Sequence, residues 1–271
     1  WAFFALTTVL PAVTALVWLG LHPGFITHGY IQRDFTLGQR LLTEPRILWS
    51  YVQTLIFPVG KHMGIYHDNF PISVDAMHPL STLPAILAWL FVACAAWRLR
   101  RRLPLFCAGV AIFLVGQLME SSFIALELYF EHRNYLPSIG IWMALAGLIA
   151  GLAQHLPENS KVARSALMAL AILPLVYSFG TWVHAVTWSS AEMFYATQQR
   201  YNPTSPRLQS DLTARAMLRG DLTGALKHIA IGEQNSPKSE AATATIWRFL
   251  AYCETHHAPP DSLYADRKSG V

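Results

Sequence analysis

The stretch Glu127-Leu128-Tyr129-Phe130-Glu131-His132-Arg133-Asn134-Tyr135-Leu136-Pro137-Ser138-Ile139-Gly140 crowds five ionisable or strongly polar side chains between two apolar runs. A guanidinium presents a rigid fork of donors suited to phosphate oxygens, so Arg133 is the first candidate for holding a phosphate at the depth of a lipid headgroup. Tyr135 adds a hydroxyl donor and an interfacial ring, although Tyr129 and Tyr135 equally suit the aromatic belt of a membrane protein. Pro137 breaks a helix here and lets the preceding polar residues line a pocket. Upstream, Gln117, Glu120, Glu127 and Glu131 follow helical steps, so a continuous helix would carry them on one stripe facing the bundle interior. A carboxylate at membrane depth costs at least ~2.5 kcal/mol on insertion scales. Glu120 is therefore either functional or half of a Glu–Arg pair that holds two spans together.

A second cluster, Lys61, His62, His67, Asp68, Asp75 and His78, follows Phe57-Pro58. Histidines with aspartates can ligate a metal or act as acid and base, but the spacing fits no zinc signature, so no metal is expected. A polar loop resting on the bundle is the other reading. Cys94, Cys107 and Cys253 are too few and too far apart for a disulfide framework, and the first two lie in apolar segments as packing residues. No Ser-His-Asp order, phosphate-cradling glycine loop or HExxH helix supports a soluble enzyme.

The chain that positions these residues is 53% hydrophobic and 13% charged, against roughly a quarter charged in soluble domains, with a mean hydropathy of +0.32. Apolar runs approach the ~20 residues that cross ~30 Å of hydrocarbon. Spans are expected at about 2–20, 82–97, 103–126, 139–155 and 165–186. The polar stretch 21–80 contains a short apolar island at 47–59, expected as a re-entrant or interfacial helix. Arg98-Leu99-Arg100-Arg101-Arg102 marks its loop as cytoplasmic, and Lys161 and Arg164 mark another. Residues 21–80, 129–138 and everything after about 188 then face outward. The formal charge of +4 and pI near 9.0 follow from this topology and do not point to nucleic acid. Because the chain opens on Trp1 inside an apolar run, it is expected to be a C-terminal fragment.

From Asn202 the composition turns soluble. Pro206 to Arg219 reads as one helix, Gly220 stops it and Asp221 caps a second from Leu222 to Glu233, with Leu208, Leu212, Ala216 and Leu218 opposing Leu222, Ala225, Leu226 and Ile229. Gly220-Asp221-Leu222-Thr223-Gly224-Ala225-Leu226-Lys227-His228, ending in Ser236-Pro237, resembles the second helix of a tetratricopeptide repeat. Ala241 to Tyr252 could begin the next repeat, and a generic helical hairpin is the alternative. The fold class expected is therefore all-α: a polytopic transmembrane bundle over 1–190, tetratricopeptide-like helices over 191–258 and a flexible tail over 259–271.

Glu131 to Gly140 resembles the E-R-Y-x-Y-L-P-S-x-G element of the transmembrane and tetratricopeptide-repeat O-mannosyltransferases, membrane glycosyltransferases of the GT-C type. Leu55-Ile56-Phe57-Pro58 followed by Tyr66-His67-Asp68-Asn69-Phe70-Pro71 and Ser73 resembles the extracytoplasmic loop domain of the same family. The chain departs from the element by His132 between Glu131 and Arg133 and by Asn134 before Tyr135. The resemblance implies transfer of a sugar from a polyprenyl-phosphate donor to an extracytoplasmic protein acceptor, with no further cofactor assigned. It implies a multi-pass protein of the bacterial inner membrane whose tail lies in the periplasm. Glu131, His132, Arg133 and Tyr135 would bind the donor phosphate, with Glu131 orienting Arg133. Glu120 and Glu127 would be its intramembrane polar neighbours, and His67 and Asp68 would border the acceptor opening. The family's catalytic carboxylate sits in a first outer loop near the N terminus, which a C-terminal fragment is expected to lack, so the catalytic residue is unassigned. A scaffold whose tail recruits a periplasmic partner and a transporter of lipid-linked sugar are the competing readings.

Overall fold

The computed structural model describes residues 7, 9–22, 24, 28–31, 33–58, 64–118, 120–154, 157, 161–236, 241–260 and 263. Among them every regular element is helical, as the composition predicts. The chain divides into two compact units, Trp1–Phe57 with Pro71–Leu167, and Pro58–Phe70 with Met168–Val271.

The first unit holds α1 (Leu10–Leu21), α2 (Leu37–Ile56), α3 (Thr82–Leu99), α4 (Pro104–Gln117) and α5 (Tyr135–Ala153), the last entered through a 3-10 turn at Glu131–Asn134. Thr82–Leu99 and Glu131–Ala153 are long and apolar enough to cross a membrane, while Pro104–Gln117 is apolar but shorter. Residues 2–6 and 8 of the expected first span lie outside the described residues.

The helix expected at 47–59 starts ten residues earlier, because Thr36 and Gln39 form a capping box: the Gln39 amide donates to Thr36 Oγ1 (3.2 Å) and the Thr36 amide to Gln39 Oε1 (2.8 Å). Its indoles bind it to α3. Trp49 Nε1 donates to the Ala85 carbonyl (3.1 Å), and Trp89 Nε1 donates back to the Pro45 carbonyl (3.0 Å). The two indoles stack at 4.6 Å, and Trp89 stacks in turn on Phe113 of α4 at 5.6 Å. The Cys107 thiol donates to the Ala96 carbonyl (2.9 Å), joining α4 to α3.

The span expected at 103–126 is shorter than its apolar run. Helix α4 ends at Gln117, and residues 118 and 120–130 run without regular structure, so Gln117, Glu120, Glu127 and Glu131 do not share a helical stripe. Up to that break α4 lies backbone to backbone on α5, whose buried face is Pro137, Gly140, Ala144, Gly147 and Gly151. A Cβ on Gly109 would enter the backbone of Ala144, and one on Gly140 the backbone of Phe113 and Gly109. Small residues at this spacing are how helices approach closely in a membrane.

Helix α6 (Lys161–Trp188) continues into the second unit, followed by α7 (Ala191–Tyr201), α8 (Pro206–Leu218), α9 (Leu222–Asn235) and α10 (Ala241–Glu254). Gly220 at φ +71° ends α8 with the Asp221 amide bonded to the Ala216 carbonyl (2.9 Å), and Asp221 Oδ1 caps α9 by accepting from the Gly224 amide (2.8 Å). The core of this unit is Ala216, Met217, Ala225, Ile229, Ala244 and Ala251. Leu218, expected in that core, is 87% exposed. Met217 takes the inward position because it lies on the helical face formed by Leu208, Gln209, Thr213 and Ala216, to which Leu218 does not belong.

Gly109→Val should lower the melting temperature of the detergent-solubilised protein by the equivalent of about 1–3 kcal/mol, the usual cost of overpacking. Gly180→Ala, in α6 with nothing within 4 Å of its would-be Cβ, should leave it unchanged or slightly raised.

Candidate functional site

Leaving the helix at Gln117 frees backbone carbonyls, and a buried unpaired carbonyl costs about 1–3 kcal/mol. The donors come from α2 and the segment before it. Arg40 is fully buried, and its guanidinium reaches three of those carbonyls: Nε to Ser122 (2.9 Å), Nη1 to Leu126 (2.5 Å) and Nη2 to Glu120. Arg33 Nε adds Ala125 (3.0 Å) and Tyr30 Oη adds Phe123 (2.8 Å). At the far end of the segment the Phe130 amide donates to Tyr51 Oη (2.8 Å), and the Tyr51 ring leans on Tyr129 at 4.9 Å.

The segment so held carries the acids. Glu120 Oε2 lies 2.5 Å from Arg133 Nε, out of line for a hydrogen bond and so an ion pair by proximity. Arg133 Nη1 also donates to the Glu127 carbonyl (2.6 Å), and its guanidinium lies 5.3 Å from the centre of the Phe130 ring. The Glu127 carboxylate stands 4.0 Å from Arg33 Nη1. Glu44 Oε1 lies 2.9 Å from Arg40 Nη2. Buried Gln117 donates to Asn134 Oδ1 (2.7 Å), closing the break between α4 and α5. Three arginines thus face three glutamates, the balance that a poorly solvated cluster requires.

Burial decides the protonation of Glu44. Loss of hydration pushes its carboxyl up to about 7, against the opposing pull of Arg40 and a hydrogen bond with Ser121. Burial likewise lowers Arg40 and raises the Tyr51 phenol.

The residues singled out by sequence fall in different places. Glu120, Glu127 and Arg133 enter this cluster. Glu131 is half-buried at the start of the 3-10 turn, and His132 is exposed with its ring edge-on to Phe130 at 4.8 Å. Tyr135 is 87% exposed. Arg133 pairs with Glu120, a carboxylate thirteen positions back in the chain, where the resemblance assigned its orientation to Glu131. Asp75 and His78 form a local turn pair at 3.0 Å, and Lys61 and His62 lie outside the described residues.

His67 and Asp68 belong to the second unit. Asp68 accepts from the Ser205 hydroxyl (2.6 Å) and the Arg207 amide (3.1 Å), so it caps α8, where its charge also suits the helix dipole. Tyr66 Oη donates to Asp211 (2.5 Å), and the His67 ring bonds the Gly64 carbonyl (2.7 Å). These contacts bind 64–70 to the start of α8.

Sequence reasoning passed over Tyr30, Arg33, Arg40, Glu44 and Tyr51. The signal was present: Arg40, Glu44, Ile47 and Tyr51 recur at helical spacing and are the buried face of α2. Comparison of the chain with family models, curated proteins and solved structures finds no match.

Arg40→Met should destabilise the protein by about 3–5 kcal/mol, since it strands Glu44 and three carbonyls, as read by thermal unfolding in detergent. Glu44 has a raised folded pKa, so its contribution is complete below about 4.5 and is lost as pH rises through about 7. Between pH 5 and 8 the wild type should therefore lose up to about 3 kcal/mol relative to Glu44→Gln, whose side chain does not titrate. Parallel stability curves for the two proteins would refute this.

Proposed function

We propose that the chain is the membrane-embedded part of a GT-C type glycosyltransferase that moves a sugar from a polyprenyl-phosphate carrier to an extracytoplasmic protein acceptor. In this reading α1, α3, α4, α5 and α6 form a polytopic bundle of the bacterial inner membrane, and α8 to α10 are a tetratricopeptide-like tail in the periplasm.

The observation that carries the reading is the state of Arg133. Its Nε is held by Glu120 and its Nη1 by the Glu127 carbonyl, while Nη2 has no hydrogen-bond partner among the described residues. The side chain is oriented from one side, retains 10% exposure and stands just before α5. Arg40, by contrast, has spent its donors on backbone. An anion arriving at Arg133 would also meet the positive end of the α5 dipole.

As the bond between the sugar and the carrier phosphate breaks, negative charge grows on the phosphate. A guanidinium fixed beforehand stabilises that charge without reorganising. Glu120 keeps the guanidinium in place. The group that activates the acceptor remains unassigned.

A non-catalytic scaffold is the second reading, favoured by Ile246, Phe249 and Leu250 of α10, which are 40–60% exposed and give a partner an apolar surface. A chain ending after Tyr201 should retain turnover on a simple acceptor if it is an enzyme and lose all function if it is a scaffold.

Membranes carrying the protein should transfer labelled sugar from polyprenyl phosphate, and Arg133→Ala should lower the rate about a hundredfold or more. Arg133→Lys should keep part of it, and matched unfolding curves would separate chemistry from folding. Wild-type rates in Arg133→Ala would overturn the phosphate role.

A further inference from the structure

From Ala76 to Met119 the sequence contains no acidic residue, and apart from His78 all of its ionisable cationic side chains are the four arginines at 98, 100, 101 and 102. They occupy the last turn of α3 and the turn between α3 and α4. All four are exposed, and among the described residues none takes part in an ion pair. Arg100 is the ordered member: its Nη1 donates to the Trp97 carbonyl (2.6 Å), and its guanidinium lies 4.1 Å from the centre of the Trp97 ring, which is itself 70% exposed.

The surroundings decide which polyanion this turn suits. Nucleic acid would require a polar, water-facing approach, yet Leu87, Leu90 and Phe91 on α3 and Leu105, Ile112 and Val115 on α4 are all exposed. At 1.5 Å per residue, α3 is about 27 Å long and α4 about 21 Å. The basic turn therefore stands one apolar layer away from the Glu120–Arg133 cluster, with no charge between. Exposed apolar helices bounded by an indole and unpaired guanidinium groups match acyl chains bounded by headgroup phosphates.

We propose that Trp97 and Arg98–Arg102 form a binding surface for the phosphate of anionic phospholipids. Trp97 sits at the level of the glycerol, with Arg100 held over it, and the neighbouring arginines take headgroup oxygens through forked donors. The inference rests on α3 and α4 being membrane-embedded, the coarser part of the proposed function, and is independent of sugar transfer.

The test is to incorporate the full chain into nanodiscs of phosphatidylcholine with phosphatidylglycerol and count the lipids retained by native mass spectrometry. Phosphatidylglycerol should be enriched severalfold over its share of the bilayer, and added salt should reduce that enrichment. Each Arg→Gln change should weaken retention about fivefold, while Arg→Lys at all four positions, which keeps the charge and loses the fork, should preserve part of it. Equal retention of the two lipids by wild type, or undiminished enrichment in Arg100→Gln and Arg101→Gln, would overturn the proposal. So would complete displacement by millimolar inorganic phosphate, which would identify a free-anion site. A protein that binds phosphatidylglycerol as expected but transfers no sugar would leave this inference standing and remove only the enzymatic reading.

Discussion

The guanidinium of Arg40 is the interaction on which the first unit depends. A chain that stops being helical at Gln117 and resumes regular structure only at Glu131 leaves backbone carbonyls that need donors from elsewhere in the fold. Arg40 meets that demand at three carbonyls at once, through a planar guanidinium whose five donors are spread over a rigid fork. It can do so because the Thr36–Gln39 capping box sets where α2 begins, and so which residues face inward. Glu44, one turn on, lies 2.9 Å from the guanidinium and supplies a countercharge once the pH rises through about 7.

The position of Arg133 follows from that anchoring and from the glycine seam. Gly109 and Gly140 bring α4 and α5 into backbone contact, so the two chain ends flanking the break, Gln117 and Asn134, are close enough for a direct hydrogen bond. The intervening residues must then loop out and return, and Arg40 fixes the course they take. Glu120 is delivered to Arg133 from one end of the loop and the Glu127 carbonyl from the other. The ion pair is thus produced by an interrupted helix, which is why Glu120 and Arg133 meet although no helical spacing relates them.

Much of this was legible in the residues. The apolar runs marked α3, α4 and α5, the cost of Glu120 demanded a partner, and Gly220-Asp221 located the α8–α9 corner. The break after Gln117 was not legible, because Ser121-Ser122-Phe123-Ile124-Ala125-Leu126 is as apolar as a helix at that depth would be. Periodicity registers side chains and is blind to carbonyls. Arg40 and Glu44 were hidden by the same blindness: in a stretch read as polar loop, two charges four apart look like a solvated face. Asp68 shows another limit, since its cap on α8 joins residues 137 positions apart and nothing in the spacing of His67 and Asp68 distinguishes a helix cap from a catalytic pair.

The two charged regions of the first unit are handled by opposite rules, and the difference locates them. Around Arg40 and Arg133 every cation has a carboxylate within 4.0 Å, because charges removed from water must neutralise each other there. In the turn after α3 four cations lie together with no acid, which is sustainable only where water or anionic groups solvate them. The chain's formal charge of +4 equals those four arginines, so the remainder of the sequence is balanced. An excess placed wholly at one end of an apolar helix pair is an electrostatic address. In the proposed reading it fixes that end at a surface that attracts cations, whereas the cluster at the other end is already balanced by its own carboxylates.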